Sequence, residues 1–212
     1  KYTFTMPASP VEIQVTLAPV EEEPAPVGEE PFTDVDEGDW YYDAVQYVYE
    51  KGLMNGTAAD EFAPNATTTR AMVVTILYRL EGEPSGGGET PFTDLKAGQY
   101  YLDAVAWANA NGIVNGTTAT TFDPDGAITR QQMAAILYRY AAYKGYDVSV
   151  SADLSSYPDA GAIQTYAQDA MAWANGSELI LGFEDHTLQP VGNSTRAQVA
   201  TLLMRFCEGV AK

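Results

Sequence analysis

The sequence predicts a mainly α-helical fold in which three helix–loop–helix repeats form a pseudo-threefold trimer around a central three-helix bundle, preceded by a short β segment. Three observations support this prediction. A stretch of about 50 residues recurs three times along the 212-residue chain. Within each copy, apolar residues recur at three- and four-residue intervals, which is typical of amphipathic helices. Each copy also contains a threonine followed by an arginine where a second helix is expected to begin.

The first two copies of the repeat align without a gap. Both begin with the sequence PFTD, and corresponding positions are Asp43 with Asp103, Gly56 with Gly116, Pro64 with Pro124, Arg70 with Arg130 and Arg79 with Arg139. A more divergent third copy has Asp169, Gly182, Pro190, Arg196 and Arg205 at these places. We expect the repeats to span residues 31–82, 91–145 and 153–209. They should pack on one another, because one helical hairpin cannot bury both of its apolar faces.

The residues before the first repeat differ in character from the repeats. Residues 1–20 alternate apolar and polar side chains and are rich in Val, Ile, Thr and aromatics, which predicts terminal strands of a preceding β-domain. Residues 21–30 are acidic and contain proline, which favours an extended linker. Because the chain begins with Lys1, we expect it to be a fragment of a longer protein.

Local signals place two helices in each repeat. The first helix follows a turn that contains an aspartate (Asp34, Asp94 or Asp159), and in two copies it ends at a glycine suited to a left-handed cap (Gly52 or Gly112). The second helix begins after a threonine and carries apolar residues at positions i, i+3, i+4 and i+7. Three equivalent apolar stripes predict that the second helices meet at a central axis, with a groove between each pair of neighbouring repeats.

Composition excludes several functional classes. The formal charge is −18, with 11 basic and 29 acidic residues, so nucleic acid and anionic membranes are poor partners. No apolar run is long enough to span a bilayer. The lone Cys207 and the lone His186 lack a third group to orient them, and the acidic turns lack the ligand spacing of a calcium loop. We therefore expect no catalytic site, no metal and no cofactor.

The distribution of arginine is the strongest sign of a binding site. All six arginines occupy two places in the repeat. Arg70, Arg130 and Arg196 each follow a threonine cap, at a helix end where positive charge costs roughly 0.3–1 kcal/mol. Two explanations remain open: the arginine binds an acid or a carbonyl of a neighbouring repeat, or it joins the helix N-terminus in holding an anion.

The residues around these arginines complete the local pattern. Thr129 with Gln132, and Thr195 with Gln198, predict capping boxes, whereas Thr69 has Met72 in the third position. A second arginine follows nine residues later, about half a turn round the same helix. It lies near the helix C-terminus, where positive charge is favourable, so we expect a structural role for it.

The three copies resemble S-layer homology domains, in the stretch PFTDV…WYYDAVQYVYEKGLMNGT…FAPNATTTRAM and its two repeats. The resemblance covers most of the chain. It implies a monomeric pseudo-trimer at the surface of a mostly Gram-positive bacterium, secreted and attached noncovalently to the cell wall. The partner that it implies is a secondary cell-wall polysaccharide, commonly carrying ketal-linked pyruvate.

The resemblance also implies which residues bind. The family motif Thr-Arg-Ala-Glu corresponds to residues 69–72, 129–132 and 195–198, with its glutamate absent throughout. An aromatic before the first helix, and a glycine followed by an aromatic in the loop, complete the family's site. The candidate residues for anion and glycan binding are Arg70, Arg130, Arg196, Thr69, Thr129, Thr195, Gln132, Gln198, Trp40, Tyr100, Tyr166, Gly182 and Phe183. Because Thr57 and Thr117 replace the loop aromatic in two copies, we do not expect three equal sites.

The function predicted from the sequence is a non-catalytic cell-wall anchor that binds an anionic polymer in the grooves between repeats. The alternative is a protein-interaction or lattice-assembly module that uses the same surfaces without recognising glycan. Catalysis on the cell wall, if the parent protein performs it, is expected in upstream domains.

Overall fold

The computed structural model describes residues 31–85 and 88–211, and the β segment and linker predicted for residues 1–30 lie outside these ranges. Six α-helices are present in the described ranges: α1 (Tyr42–Glu50), α2 (Arg70–Leu80), α3 (Leu102–Ala110), α4 (Arg130–Lys144), α5 (Gln168–Gly176) and α6 (Arg196–Gly209). Within these ranges β pairing is limited to isolated bridges. The prediction of a mainly α-helical protein with two helices in each repeat is confirmed.

The second helix of each repeat begins where its threonine cap predicts. Thr129 Oγ1 accepts a hydrogen bond from Gln132 N, and Gln132 Oε1 accepts one from Thr129 N at 3.1 Å, which forms a capping box. The same box joins Thr195 to Gln198 in α6. Thr69 caps α2 through its hydroxyl alone, as expected from Met72 in the third position.

A cyclic arrangement of backbone hydrogen bonds lies at the centre, just before the second helices. Thr68 N donates to Ser194 O at 3.0 Å, Ser194 N to Ile128 O at 2.8 Å, and Ile128 N to Thr68 O at 2.9 Å. All three residues are buried. Each repeat thus donates to one neighbour and accepts from the other, which is the pseudo-threefold symmetry predicted from the repeats.

The first helix of each repeat packs on the second helix of another repeat. α3 packs on α2 of the preceding repeat, α5 packs on α4, and α1 closes the ring by packing on α6. At the end opposite the cyclic hydrogen bonds, Tyr140 of α4 contacts Phe206 of α6 with ring centroids 5.7 Å apart. The Tyr140 hydroxyl donates to Glu81, the residue that follows α2, at 2.5 Å. Side chains of α4 and α6 and the residue that follows α2 therefore meet at this end of the molecule.

Candidate functional site

Three grooves separate the repeats, and each contains arginine. Groove 1, of about 410 Å³, includes Arg70, Asn115, Gln132, Arg139, Gln164 and Tyr166. Groove 2, of about 760 Å³, includes Trp40, Arg130, Gly182, Phe183, Glu184, Asp185, Gln198 and Arg205. Groove 3, of about 230 Å³, includes Asn55, Thr68, Met72, Arg79, Tyr100 and Arg196.

Each groove is built from all three repeats. In groove 1, Arg70 comes from the first repeat, Gln132 and Arg139 come from α4 of the second, and Tyr166 comes from the third. Grooves 2 and 3 are built in the same way, but the roles of the three repeats are exchanged in cyclic order. The predicted arginines, glutamines and aromatics therefore converge only because the ring of helices closes.

The arginine after each threonine cap binds the loop of the next repeat. Arg70 Nε donates to Phe122 O at 2.8 Å, and Arg70 Nη2 donates to Asn115 O at 3.2 Å. The guanidinium also lies over the Phe122 ring, 4.8 Å from its centroid. Of the two explanations left open by the sequence, binding to carbonyls of a neighbouring repeat is therefore present in groove 1.

The other two arginines of this class make the same contacts. Arg130 donates to the carbonyls of Leu188 and Leu181 at 2.7 and 2.9 Å. Arg196 donates to those of Phe62 and Asn55 at 2.7 and 2.6 Å. Their guanidinium carbons lie 4.6 Å from the ring centroid of Phe183 and 4.5 Å from that of Phe62. Phe183, predicted to lie near sugar rings, is thus in contact with Arg130.

These contacts use two of the three nitrogens of each guanidinium. Nη1 of Arg70, of Arg130 and of Arg196 makes no hydrogen bond to any residue in the described ranges. All three arginines line a groove, and each has one terminal nitrogen without a hydrogen-bond partner among the described residues while the other two hold the loop. Structural and binding roles are therefore compatible in the same side chain.

The second arginine of each repeat lies in the same groove as the first arginine of the preceding repeat. Arg139 lines groove 1 with Arg70, Arg205 lines groove 2 with Arg130, and Arg79 lines groove 3 with Arg196. The nine-residue spacing predicts that the two arginines of one helix lie on opposite sides, but it does not reveal that cyclic packing joins arginines of different helices. The recurrence of the second arginine in all three copies was the signal for it.

None of these arginines has a carboxylate partner in the part of the chain that the structure describes. The ion pairs there are Lys96 with Asp125 at 3.6 Å and Lys144 with Glu81 at 2.8 Å. The chain contains 29 acidic residues, so partners for arginine are abundant in composition. No acidic side chain of the described ranges forms a salt bridge with these guanidinium groups, so the nearest carboxylates offset their charge only at longer range.

The pKa shifts identify groove 1 as the place where these charges converge. Burial lowers the pKa of Arg70, Asp123 and Tyr166 raise it, and Arg139 makes a smaller contribution that lowers it. Burial also lowers the pKa of Arg139. Burial raises the pKa of Tyr166, whereas Arg70 and Arg139 both lower it. The two guanidinium groups and the phenol therefore act on one another across the groove.

Groove 2 is less uniformly positive. Burial lowers the pKa of Arg130 to about 10, although Asp159 raises it, so the side chain stays protonated at neutral pH. Glu184 and Asp185 also line this groove and offset part of the charge of Arg130 and Arg205. Among the described residues, none that lines groove 1 is acidic.

The helix N-termini do not contribute free donors. Arg70 N donates to Gly126 O at 2.9 Å, Ala71 N to Pro124 O at 3.1 Å, and Met72 N to the Thr69 hydroxyl. The same pattern recurs at the starts of α4 and α6. The expectation that backbone N–H groups assist an anion is therefore wrong, because internal oxygens already occupy them. Thr69, Thr129 and Thr195 act as caps and line none of the three grooves.

The side-chain amide nitrogens of the capping glutamines, Gln132 and Gln198, are not used by the capping boxes. Oε1 of Gln132 and of Gln198 is engaged in the capping box. Neither amide nitrogen donates to a residue of the described ranges, and both side chains line a groove. Met72 takes this place in groove 3, so that groove lacks the amide.

The three predicted aromatics stand exposed at the groove edges. Trp40 is 67% exposed, Tyr100 59% and Tyr166 48%. Trp40 and Tyr100 are each supported by the following tyrosine, at a centroid distance of 5.2 Å. Such exposure is unusual for large aromatic rings and suits contact with a ligand.

Fold and site together define a cyclic three-repeat helical module whose arginines converge on grooves between repeats. The family model for the S-layer homology domain matches residues 31–71, 91–134 and 156–200. This chain belongs to the S-layer homology domain family.

Relatives with this kind of module include enzymes and a surface-layer protein. The chain is 36% identical to an endoglucanase of Bacillus sp. (strain KSM-635) over 85% of its own length and 19% of that protein. It is 32% identical to a surface-layer 125 kDa protein of Lysinibacillus sphaericus, over 79% of this chain and 14% of the relative. It is 26% identical to an amylopullulanase of Thermoanaerobacterium thermosulfurigenes, over 84% of this chain and 9% of that protein. The chain thus spans a fifth or less of the length of these relatives.

Family membership indicates a location at the cell surface, in association with the cell wall, where domains of this family act as anchors. The enzymes among the relatives match this chain only through their S-layer homology parts. In the described ranges no helix combines the length and the apolar character that crossing a membrane requires. Those ranges also contain no cluster of three or more His, Cys, Asp or Glu side chains arranged to hold a metal ion.

Proposed function

We propose that this chain anchors its parent protein noncovalently to the cell wall, without catalysis, by binding an anionic wall polysaccharide. The polymer that best suits the site is a secondary cell-wall polymer carrying ketal-linked pyruvate. The observation that carries the proposal is the pair of guanidinium groups in groove 1, Arg70 and Arg139, which share one cavity and form no salt bridge with a carboxylate of the described residues.

The chemistry of groove 1 suits a carboxylate on a sugar. Two like charges held close together are unfavourable by themselves, and an anion between them reverses the sign of the interaction. Arg139 makes no hydrogen bond to a described residue, so its guanidinium can bind a carboxylate with two parallel hydrogen bonds. Arg70 offers Nη1 alone, because its Nε and Nη2 hold the loop. Gln132 adds an amide donor, and the exposed ring of Tyr166 provides a face for the apolar side of a sugar.

The grooves differ in fitness for this ligand. Groove 1 has two arginines, the capping amide and no acidic residue. Groove 2 is larger but includes Glu184 and Asp185, which repel an anion. Groove 3 is the smallest and has Met72 in place of the amide. We therefore place the principal anion site in groove 1.

Arg139→Gln is the sharpest test, since Arg139 makes no hydrogen bond to a residue of the described ranges. Arg70 is a poor probe because it also holds the Phe122 loop. Losing a charge-assisted hydrogen bond of about 1.5–3 kcal/mol lowers affinity about tenfold or more. We expect this loss in sedimentation with purified cell wall and in titration with a pyruvylated disaccharide. Lys96→Gln removes the same charge outside the grooves and should bind like the wild type.

Two outcomes would contradict the proposal. One is wild-type sedimentation of Arg139→Gln with the wall, provided that its thermal unfolding matches that of the wild type. The other is undiminished binding to polymer from which the pyruvate has been removed. Either result would favour the alternative, in which the same surfaces bind protein and serve interaction or lattice assembly.

A further inference from the structure

A fourth cavity lies outside the three grooves, where the first and third repeats close the ring. It has a volume of about 390 Å³, close to that of groove 1. Its lining includes Tyr47, Lys51, Arg79, Tyr140, Lys144 and Cys207. We call it the seam pocket.

One of the three equivalent helix contacts, the one beside the seam pocket, is filled by a different residue. Trp107 of α3 fills the contact with α2 and lies 5.7 Å from Tyr78, between ring centroids. Trp173 of α5 fills the contact with α4 and lies 5.5 Å from Tyr138. At the contact of α1 with α6 the corresponding residue is Tyr47, a smaller ring. Tyr47 lines the seam pocket together with Cys207 of α6.

Positive charge in the pocket exceeds what its own acid compensates. Lys144 pairs with Glu81 at 2.8 Å, and Glu81 also accepts the Tyr140 hydroxyl. Lys51 and Arg79 have no carboxylate partner within the described ranges, and Lys51 lies 5.9 Å from the ring centroid of Tyr47. Lysine is present at this position of α1 alone, because Asn111 and Ser177 take its place in the other repeats.

The positions of the other basic residues strengthen this reading. Six arginines and three lysines lie in the described ranges, and all of them except Lys96 line one of the three grooves or the seam pocket. Lys51 and Lys144 are exposed and line the seam pocket, so an anion that enters the pocket can reach their charges.

We infer that the seam pocket binds an organic anion of about the size of a sugar acid, carrying one carboxylate or phosphate group. Lys51 and Arg79 hold the anionic group, and the rings of Tyr47 and Tyr146 contact the body of the ligand. Arg79 also lines groove 3, so a ligand here lies directly beside that groove. Occupation of the pocket does not require that the grooves bind the wall polymer.

Cys207 makes the pocket directly testable, because it is the single cysteine of the chain and lines the pocket. Iodoacetamide, an uncharged reagent, reports the access of solvent to its thiol. We expect glucuronic acid or glucose 6-phosphate, at about ten times the dissociation constant, to slow alkylation about tenfold, because only the empty fraction reacts. Glucose at the same concentration and ionic strength should have no effect. A difference between the two acids tells whether carboxylate or phosphate is preferred.

Lys51→Gln should abolish this protection, and Lys96→Gln, with the same loss of charge, should keep it. Protection is compared as the ratio of rates with and without ligand in each variant, because Lys51 itself influences the reactivity of the thiol. Equal protection by glucose, no protection by either acid, or full protection in Lys51→Gln would each overturn the proposal. Arg139→Gln should keep the protection, so failure of groove 1 and failure of the seam pocket are distinguished.

Discussion

At the scale of single residues, the arginine after each threonine resolves a conflict between helix electrostatics and composition. Positive charge is unfavourable at a helix N-terminus. Here each such arginine donates to two carbonyls of the next repeat and lies over an aromatic ring, which offsets that cost. The sequence exposed the conflict but could not decide between its two explanations, since the carbonyls belong to a loop many residues away.

The aspartate before the first helix of each repeat also recurs, and it binds the loop whose carbonyls accept hydrogen bonds from the arginine. Asp94 accepts hydrogen bonds from Phe122 N at 2.9 Å and from Asp123 N at 2.7 Å. Asp34 and Asp159 make the equivalent pairs of bonds in the other repeats. Because Phe122 O in turn accepts from Arg70, the carboxylate of Asp94 and the guanidinium of Arg70 are linked through one peptide unit.

Replacing Asp94 by Asn should therefore destabilise the protein by about 1–2 kcal/mol at neutral pH, because an amide accepts only one of the two hydrogen bonds. Burial raises the pKa of Asp94, but the N–H groups of Phe122 and Asp123 lower it more, so its folded pKa is below its ordinary value of 3.8. Its contribution is complete above the ordinary pKa and is lost as the pH falls through the folded pKa.

The measurement is the free energy of unfolding in urea between about pH 3 and pH 7. The difference between wild type and Asp94→Asn should be largest at neutral pH and should shrink below about pH 4. Asp125→Asn removes a carboxylate that pairs only with an exposed lysine, and it should change stability by less than about 0.5 kcal/mol. If the difference in unfolding free energy between wild type and Asp94→Asn stays constant down to pH 3, the proposed link between the pKa of Asp94 and stability is contradicted.

At the scale of helices and turns, the ends of the helices were the most predictable features. The threonine caps place the starts of α2, α4 and α6, because capping chemistry is local. Gly52 and Gly112 have φ values of +64° and +69° and follow the C-caps of α1 and α3, as the sequence predicts. What could not be predicted is which helix packs on which, since three similar apolar stripes fit any of three similar partners.

The third repeat departs from the glycine rule. Glu178 occupies the position of Gly52 and Gly112 and has a φ of +59°, a left-handed conformation that costs a residue with a side chain about 1 kcal/mol or more. Glu178→Gly should therefore stabilise the protein by about 1 kcal/mol, measured as a rise in the midpoint of urea unfolding at unchanged slope. Glu178→Ala removes the same charge but keeps a Cβ, so it should bring no gain. Equal stabilisation by both variants would assign the effect to charge and not to the backbone.

At the scale of the whole molecule, the closed ring decides both stability and function. Consecutive helices of a repeat do not form a self-contained hairpin, because each first helix packs on the second helix of another repeat. The repeats could be counted from the sequence, and their symmetry could be predicted. The composition of each groove could not, because it draws one arginine, one helix and one aromatic from three different repeats.

A cut in the chain between the first two repeats should therefore leave the assembly intact. A protease site placed between residues 83 and 90 separates the first repeat covalently, yet α1 stays packed on α6 and α2 on α3. We expect the two fragments to elute together in size-exclusion chromatography and to unfold in one transition. Removal of residues 146–212 is the contrasting variant, since it exposes the buried faces of α1 and α4 and should abolish cooperative unfolding. Independent elution of the cleaved fragments would mean that each repeat is stable alone.

The grooves contain arginines although the molecule as a whole is strongly negative. The net charge of the molecule and the local charge of the grooves therefore have opposite effects on an acidic polymer. The net charge of −18 repels the polymer at long range, whereas the groove arginines attract it only at contact. Salt screens the first effect more than the second, because the Debye length falls from about 30 Å at 0.01 M to about 10 Å at 0.1 M ionic strength. Association with the wall polymer should therefore become faster over this range of salt.

The rate of association, measured by stopped flow or by surface-based kinetics, distinguishes this behaviour from simple attraction between a basic site and an acid. Replacing exposed acids that line none of the grooves, such as Glu50 and Asp60, by their amides should speed association at low salt and leave dissociation unchanged. Arg139→Gln should do the reverse, speeding dissociation because it removes a contact made only in the complex. The opposite result is an association rate that falls steadily as salt rises from 0.01 M. It would mean that the positive field of the grooves extends beyond the acidic surface around them. The division between long-range repulsion and attraction at contact would then be wrong.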